Sequence, residues 1–394
     1  MHETTSLPKG FRAAAVQCGI RPRRKRLDLG LLLADQAYPA AALYTKNLLL
    51  GAHIPVCRDH LTRSGGLVRA VLVNSGNANC STGDAGLVDN RRVCAALGEL
   101  IGCPPEQVLF LSTGVIGARL PVERVLEALP ELCGRDSQQG LDAFSQAIMT
   151  TDLVPKISAR THEDSKGRRF HVTGVAKGSG MVHPDMATML AFLMTDARTP
   201  KDLARTLRGI AEHTFHRLTV DGDTSPNDTV LLWSSAYTPV TPEATVVEGL
   251  RGAARDLCRK IAVDGEGATR LVTVEVKGAP SESAAATVGR VIATSPLIKT
   301  AVHGRDPNWG RILAAAGRSG VPVDMARARV WIGPADLYSG GQPHPENEPA
   351  AHLHMLNEKE VVLGVDLATG QAEAQVWTCD FSADYVHINA DYRS

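Results

Sequence analysis

A mixed α/β fold is predicted by three features of this 394-residue chain. Short apolar runs alternate with longer stretches of helical apolar spacing, clusters of Gly, Asn, Asp and Pro separate them, and the length suffices for two domains or one large layered unit. Taken in order, Leu29 to Leu33, Ala40 to Tyr44, Val68 to Val73 and Val108 to Leu111 read as strands. Residues 84–101, after Thr82-Gly83, and 121–133, with a proline in the first turn, read as helices. Asn74 and Thr113 then fall just beyond strand ends, where α/β proteins bind ligands. Phe170 to Val175 and Met189 to Met194 read as strands, 200–216 as a helix, Thr229 to Ser235 as a buried strand, 243–262 as a helix and Leu271 to Val276 as a strand. A long helix is predicted over 296–319, carrying Asn308-Trp309-Gly310-Arg311 near its start, and 335–357, rich in Gly, Pro, His and Glu, reads as an irregular surface excursion.

Charge is balanced, with 42 basic and 42 acidic residues, which argues against nucleic-acid binding through phosphate neutralisation. The one basic cluster, residues 21–26, reads as a solvated hairpin turn. Eight cysteines are scattered without a Cys-x-x-Cys pair, the pattern of a reducing compartment. No apolar run approaches the ~20 residues of a membrane span, and the first residues lack a signal pattern, so a cytoplasmic protein is expected. The pairs His213/His216 and His352/His354 have metal-compatible spacing but no accompanying ligand set, so no metal is expected.

The informative segment is Lys177-Gly178-Ser179-Gly180 followed by Met186-Ala187-Thr188-Met189-Leu190. A threonine before an apolar run ordinarily marks only a strand edge. Cutting the bond after Ala187 would make Thr188 an N-terminal nucleophile, its hydroxyl attacking while its freed amine, with a reference pKa of about 7.7–8.0, acts as base. Other polar, glycine-rich turns accompany it: 74–79, 112–117, 221–228 and 264–269.

Together, and in this order, these segments resemble the ornithine acetyltransferase family, also called arginine biosynthesis bifunctional protein or glutamate N-acetyltransferase. The resemblance runs from Gly10-Phe11-Arg12 to Asn389-Ala390-Asp391-Tyr392-Arg393-Ser394 and includes Thr150-Thr151-Asp152 and Asn308 to Leu313. It implies a layered sandwich of sheets packed between helices, of the self-processing N-terminal-nucleophile type. It also implies a precursor cut between Ala187 and Thr188 into an α chain (1–187) and a β chain (188–394), assembled as an α2β2 heterotetramer. The implied reaction moves acetyl from N-acetylornithine to glutamate through acetyl-Thr188, with no bound cofactor; bifunctional members also take acetyl from acetyl-CoA.

The same resemblance assigns Thr113 and Gly114 to an oxyanion hole and Thr151, Lys177, Thr188, Glu266, Asn389 and Ser394 to substrate binding. Lys177 would face a carboxylate and Glu266 an ammonium group, and a chain end folded into the site would make a C-terminal tag harmful. The sequence departs from the family's usual pattern at His183 and Asp185 around Pro184, and at Pro226. His183 is expected to alter the cleavage rate and Asp185 the pH optimum. Two other readings stand beside this one: a self-processing aminopeptidase or amidohydrolase using the same nucleophile, and a non-catalytic amino-acid-binding homologue.

Overall fold

A computed structural model of the protein describes residues 6–21, 26–183, 189–239 and 243–391. Its first part contains β1 (Phe11–Val16), β2 (Leu29–Tyr44), α1 (His53–Arg63), β3 (Leu67–Asn77), α2 (Gly83–Ile101), β4 (Val108–Val115), α3 (Val122–Cys133), α4 (Leu141–Ala147), β5 (Lys156–Glu163), β6 (Arg169–Lys177), β7 (Leu190–Ala197), α5 (Leu203–Glu212), β8 (Thr229–Thr238) and α6 (Glu243–Val263). The strands run in the order β4-β3-β2-β8-β7-β6-β5, with β1 also paired to β2.

Two sheet faces pack together because β2 belongs to both halves. Its first residues pair with β1 and β3, its last with β8, and its register against β3 shifts between Leu33 and Tyr38. The two predicted strands are therefore one, bent where Asp35 and Gln36 turn outward to solvent. Side chains then alternate between layers, as the two-residue strand period requires. On β7, Leu190, Phe192 and Met194 join Phe11, Val71, Leu109 and Trp233 between the sheets, whereas Ala191 and Leu193 pack on Leu207, Ile210, Leu250 and Leu257 of α5 and α6. On the other side Ala70 and Leu72 of β3 pack on Val93, Leu97, Val125 and Leu129 of α2 and α3. The architecture is a four-layer helix–sheet–sheet–helix sandwich, as the resemblance implied.

The second part comprises β9 (Leu271–Ala279), α7 (Glu282–Ala293), α8 (Pro296–His303), α9 (Trp309–Gly317), β10 (Arg329–Ile332), β11 (Ala335–Ser339), β12 (Gln342–Pro343), α10 (Glu348–Asn357), β13 (Glu360–Asp366), β14 (Ala372–Cys379) and α11 (Ala383–Asp391). Its sheet order is β12-β11-β10-β13-β9-β14, with a separate core of Val274, Val276, Val288, Ile292, Val330 and Val365.

Four expectations need correction. The predicted helix 296–319 is two, broken at Arg305 (φ +58°) and Pro307, and Asn308 caps the second by accepting from the Arg311 N–H at 3.4 Å. The helix over 200–216 is shorter, because Asp202 caps it at Arg205 N–H and a 3-10 turn, Phe215–Arg217, follows. The supposed excursion 335–357 is ordered structure that contributes Leu337, Ala351 and Met355 to the core. Asn74 and Thr113 lie inside the last residues of β3 and β4, which run further than their apolar stretches. β1 and β2 form an antiparallel pair on either side of the basic cluster, of which residues 22–25 lie outside the described residues. All eight cysteines are free thiols, and no described helix is long and apolar enough to cross a membrane.

Candidate active site

Strand ends and turns from distant parts of the chain meet in one pocket. Among the described residues, its wall includes Ala78, Thr113, Gly114, Thr151, Gly180, Met181, Asn227, Glu266 and Asn389. Gly114, at the end of β4, has φ +134°, and a Cβ there would overlap the backbone of Gly76 and Asn77 on β3. Only glycine lets the two parallel strand ends lie that close beside the pocket. At Gly180 a Cβ would meet the Glu266 carboxylate, so a larger residue there would displace that side chain from its present place. The Asn389 amide donates to Glu266 Oε2 at 2.9 Å, and Ser382 Oγ donates to the Gly267 carbonyl at 2.6 Å, so α11 is fastened to the Glu266 loop.

Beneath this wall lies a buried charge hub. Lys156, 1 % exposed, donates to Asp152 Oδ1 at 2.7 Å and to Asp264 Oδ2 at 2.5 Å. Asp152 Oδ1 also accepts the Gly178 N–H at 2.7 Å and Oδ2 the Thr150 N–H at 2.9 Å. Asp264 accepts the Leu153 N–H at 3.0 Å on its side chain and Ser179 Oγ at 2.6 Å on its carbonyl, and the Ser179 carbonyl accepts the Glu266 N–H at 3.0 Å. One ammonium thus ties together the turns that carry Thr151, Gly180 and Glu266. Burial alone would raise the Asp152 carboxyl, but Lys177, Lys156 and the Gly178 N–H outweigh it and hold it well below the usual carboxylate range. At Lys177 burial dominates instead and pulls the ammonium down, against the opposing pull of Asp152.

The strand register frames the 187/188 junction. Leu190 pairs with Lys177 on β6 and with Thr229 on β8, and the Met189 N–H donates to Asp228 Oδ1 at 2.9 Å. Burial pushes the Asp228 carboxyl well above its ordinary range. The neighbouring Asn227 amide donates to the carbonyls of Ala78 (2.6 Å) and Ser112 (2.7 Å), locking the ends of β3 and β4 to this loop. The fully buried His53 donates from Nε2 to the Asn227 carbonyl at 3.0 Å, and burial pushes its pKa down to about 4.

A pH consequence follows. The unfolded chain protonates His53 near 6.5 and the folded one only near 4, so the unfolded state binds the extra proton in between and stability falls as pH drops from 6.5 to 4. Asp221, pushed up to about 6 by burial, acts oppositely, since the native state takes its proton first. Comparing His53→Gln with the parent by denaturant titration at pH 7 and pH 4 isolates the histidine. The variant is expected to lose less stability on acidification, by up to about 3 kcal/mol; equal losses would refute the assignment.

The structure thus gathers Thr113, Gly114, Thr151, Glu266 and Asn389 on one wall. Lys177 stands apart, 1 % exposed at the end of β6, and contributes nothing to the described wall. Ala187, Thr188, Pro184 and Asp185, and Ser394 at the chain end, lie outside the described residues. His183 is next to them, its Nδ1 3.2 Å from Thr219 Oγ1, and Pro226 lines the pocket. Of the histidine pairs, His213 lies 3.2 Å from Glu282, His352 Nδ1 faces the Arg305 carbonyl, and His354 Nε2 accepts the Val362 N–H. Sequence reasoning missed Lys156, Asp264, Asn227 and Asp228 as site-building residues. The last three sat in glycine-rich turns already noted, whereas Lys156 sits at the start of a strand and had no local signal.

The pattern of the ArgJ family matches residues 12–394. An "Arginine biosynthesis bifunctional protein ArgJ" of Parasynechococcus marenigrum is 45 % identical over 388 residues, covering 98 % of this chain and 94 % of that protein. One of Thermus thermophilus is 45 % identical over 392 residues, covering 98 % of each. Among solved structures, the bifunctional ArgJ protein of Bacillus halodurans is 39 % identical over 51 % of this chain and 98 % of that one, with a TM-score of 0.49. An ornithine acetyltransferase of Mycobacterium tuberculosis, complexed with ornithine, is 34 % identical over 46 % and 95 %, with a TM-score of 0.42. With the family pattern spanning nearly the whole chain and relatives matched end to end at 45 % identity, this chain belongs to the ArgJ family.

Proposed function

We propose that the chain cuts itself between Ala187 and Thr188 and then moves acetyl from N2-acetylornithine to glutamate through an ester on Thr188. Family membership makes it an acyltransferase of arginine biosynthesis; the route through Thr188 is our reading. One observation carries it: the residue after Thr188 is held by Asp228, while the neighbouring Asn227 lines a pocket with Thr113, Gly114, Thr151, Glu266 and Asn389.

In the first half-reaction Thr188 Oγ attacks the acetyl carbonyl, its proton passing to its own α-amine. The tetrahedral oxyanion is received by the Thr113 hydroxyl and the Gly114 N–H, donors fixed at the end of β4 beside the pocket. Collapse breaks the acetyl C–N bond and the α-amine returns the proton to the departing ornithine nitrogen. Glutamate then enters, its amine attacks the ester, and Thr188 Oγ regains its proton as N-acetylglutamate leaves. This order is ping-pong. Glu266, oriented by Asn389, offers the anion for the ornithine side-chain ammonium, and the buried Lys177 acts from behind the junction, beside Asp152 and Asp228, rather than by touching a substrate carboxylate. Acetyl-CoA enters the same scheme as a thioester donor. Assembly as α2β2 and a cytoplasmic setting complete the proposal.

The deciding measurement is the intact mass of the protein incubated with N-acetylornithine alone. A fragment beginning at Thr188 is expected to gain one acetyl group and lose it on addition of glutamate. Acetyl on another residue, or none, would overturn the scheme, and release of acetate without glutamate would favour the hydrolase reading. A second check addresses the oxyanion donors: Thr113→Val, which keeps shape and removes the hydroxyl, is expected to lower kcat by about 10² to 10³-fold with little change in folded stability.

A further inference from the structure

Away from the pocket, a polar groove of about 510 Å³ opens between α6 and the β9–β14 edge of the second sheet. One wall carries Arg251 and Arg255, one helical turn apart on α6, and Arg217 from the 3-10 turn after α5. The facing strands carry Glu275 and Glu373, with Lys277 beside them, and Glu275 Oε1 accepts the Gln375 amide at 3.1 Å. Arg217 is paired with Glu282 and Arg251 Nη1 with Glu248 at 2.9 Å, but Arg255 and Glu373 have no ion-pair partner among the described residues. Two donors are also left over: Arg251 Nε and the indole N–H of Trp377, a groove residue 2 % exposed, are buried without a hydrogen-bond partner. An N–H held dry and unpaired is costly, so a shift of either side chain toward an acceptor bound in the groove is favoured.

We propose that this groove binds a free amino acid of net charge zero or minus one, its carboxylate on the arginine wall and its ammonium group against Glu275 and Glu373, and that its occupancy tunes the active pocket. The guanidinium wall suits carboxylate forks. The facing carboxylates disfavour polyphosphates, and the arginines disfavour simple cations.

The route to the pocket is short and continuous. Leu218 forms a bridge with Trp377, and the Thr219 N–H donates to the Trp377 carbonyl at 3.0 Å. The Val220 N–H donates to the Val182 carbonyl at 2.7 Å, while Asp221 accepts the N–H groups of Met181 and Val182. Met181 is part of the pocket wall. A ligand that draws Arg217 or Trp377 therefore pulls on the segment that positions the turn next to the 187/188 junction.

The test is calorimetric titration of the full-length protein with L-aspartate, with excess N-acetylornithine present to compete for the pocket. Aspartate is expected to bind under these conditions, at least tenfold more weakly to Arg255→Gln, and to shift the KM for N-acetylornithine in the parent but not in the variant, whose turnover without aspartate is unchanged. Succinate, which lacks the ammonium group, is expected to bind at least tenfold more weakly than aspartate. Equal affinity in parent and variant would overturn the site, succinate binding as well as aspartate would overturn the ligand class, and binding without a KM shift would overturn the coupling. The affinity readout involves neither Thr188 nor acetyl transfer, so its failure is distinct from failure of the catalytic scheme.

Discussion

Thr188→Ala is expected to remain a single 394-residue polypeptide and to lose acetyl transfer entirely, while Thr188→Ser keeps both cleavage and turnover at a reduced rate. Both steps draw on the same atoms. Cleavage by an N-to-O shift requires the side-chain oxygen to reach the carbonyl of Ala187, and transfer requires that oxygen together with the amine cleavage sets free. Alanine supplies neither the oxygen nor, since the bond stays intact, the amine. Serine retains the hydroxyl but lacks the β-branch that restricts χ1, so fewer molecules hold it in an attacking orientation. Denaturing mass spectrometry and a coupled turnover assay on the same preparations decide the matter. Turnover by an uncut alanine variant would remove the threonine from the mechanism.

The second large effect is expected at Lys156. In Lys156→Met, Asp152 and Asp264 face each other's buried surroundings without their shared cation, a loss of about 3–5 kcal/mol in unfolding free energy. Because Asp152 is held below the ordinary carboxylate range, the native state resists its protonation. The hub's contribution is therefore complete above the unfolded carboxylate pKa of about 4 and fades as pH falls below it. The same variant frees from their shared cation the two aspartates that accept the Gly178 and Leu153 N–H groups, so these turns loosen and kcat is expected to fall at permissive temperature even in the folded fraction. Asp152→Asn is the gentler companion, since the Lys156–Asp264 pair stays intact and the amide oxygen can still accept from Gly178. Urea titrations paired with kcat on all three proteins test this. A methionine variant within about 1 kcal/mol of the parent would show that the turns are held by other contacts.

Strand positions were legible wherever apolar residues ran unbroken, as in β7 and β8, because burial on both faces writes itself as a continuous apolar segment. The split reading of β2 failed where Asp35 and Gln36 turn outward without ending the strand. α4 went unnoticed because seven residues carry too little periodicity, although Phe144 is fully buried between the sheets. The joint wall of Thr113, Gly114, Thr151, Glu266 and Asn389 came from the motif resemblance, since composition and spacing say nothing about residues 276 positions apart meeting. Lys156 was invisible for a different reason: a lysine at a strand start ordinarily points to water, and only the tertiary arrangement places two aspartates around it.

The pairing of β6 with β7 bears on how the protein must be handled under the proposed cut. Residues Val172 to Lys177 lie before the junction and Leu190 to Thr195 after it, yet they are neighbours within one sheet, and β2 and β8 repeat the arrangement one strand over. Severing the backbone between them leaves two fragments zipped along their lengths and sharing a common interior. Such fragments should travel as one species through every native column and separate only in denaturant, so an affinity handle on either piece recovers both.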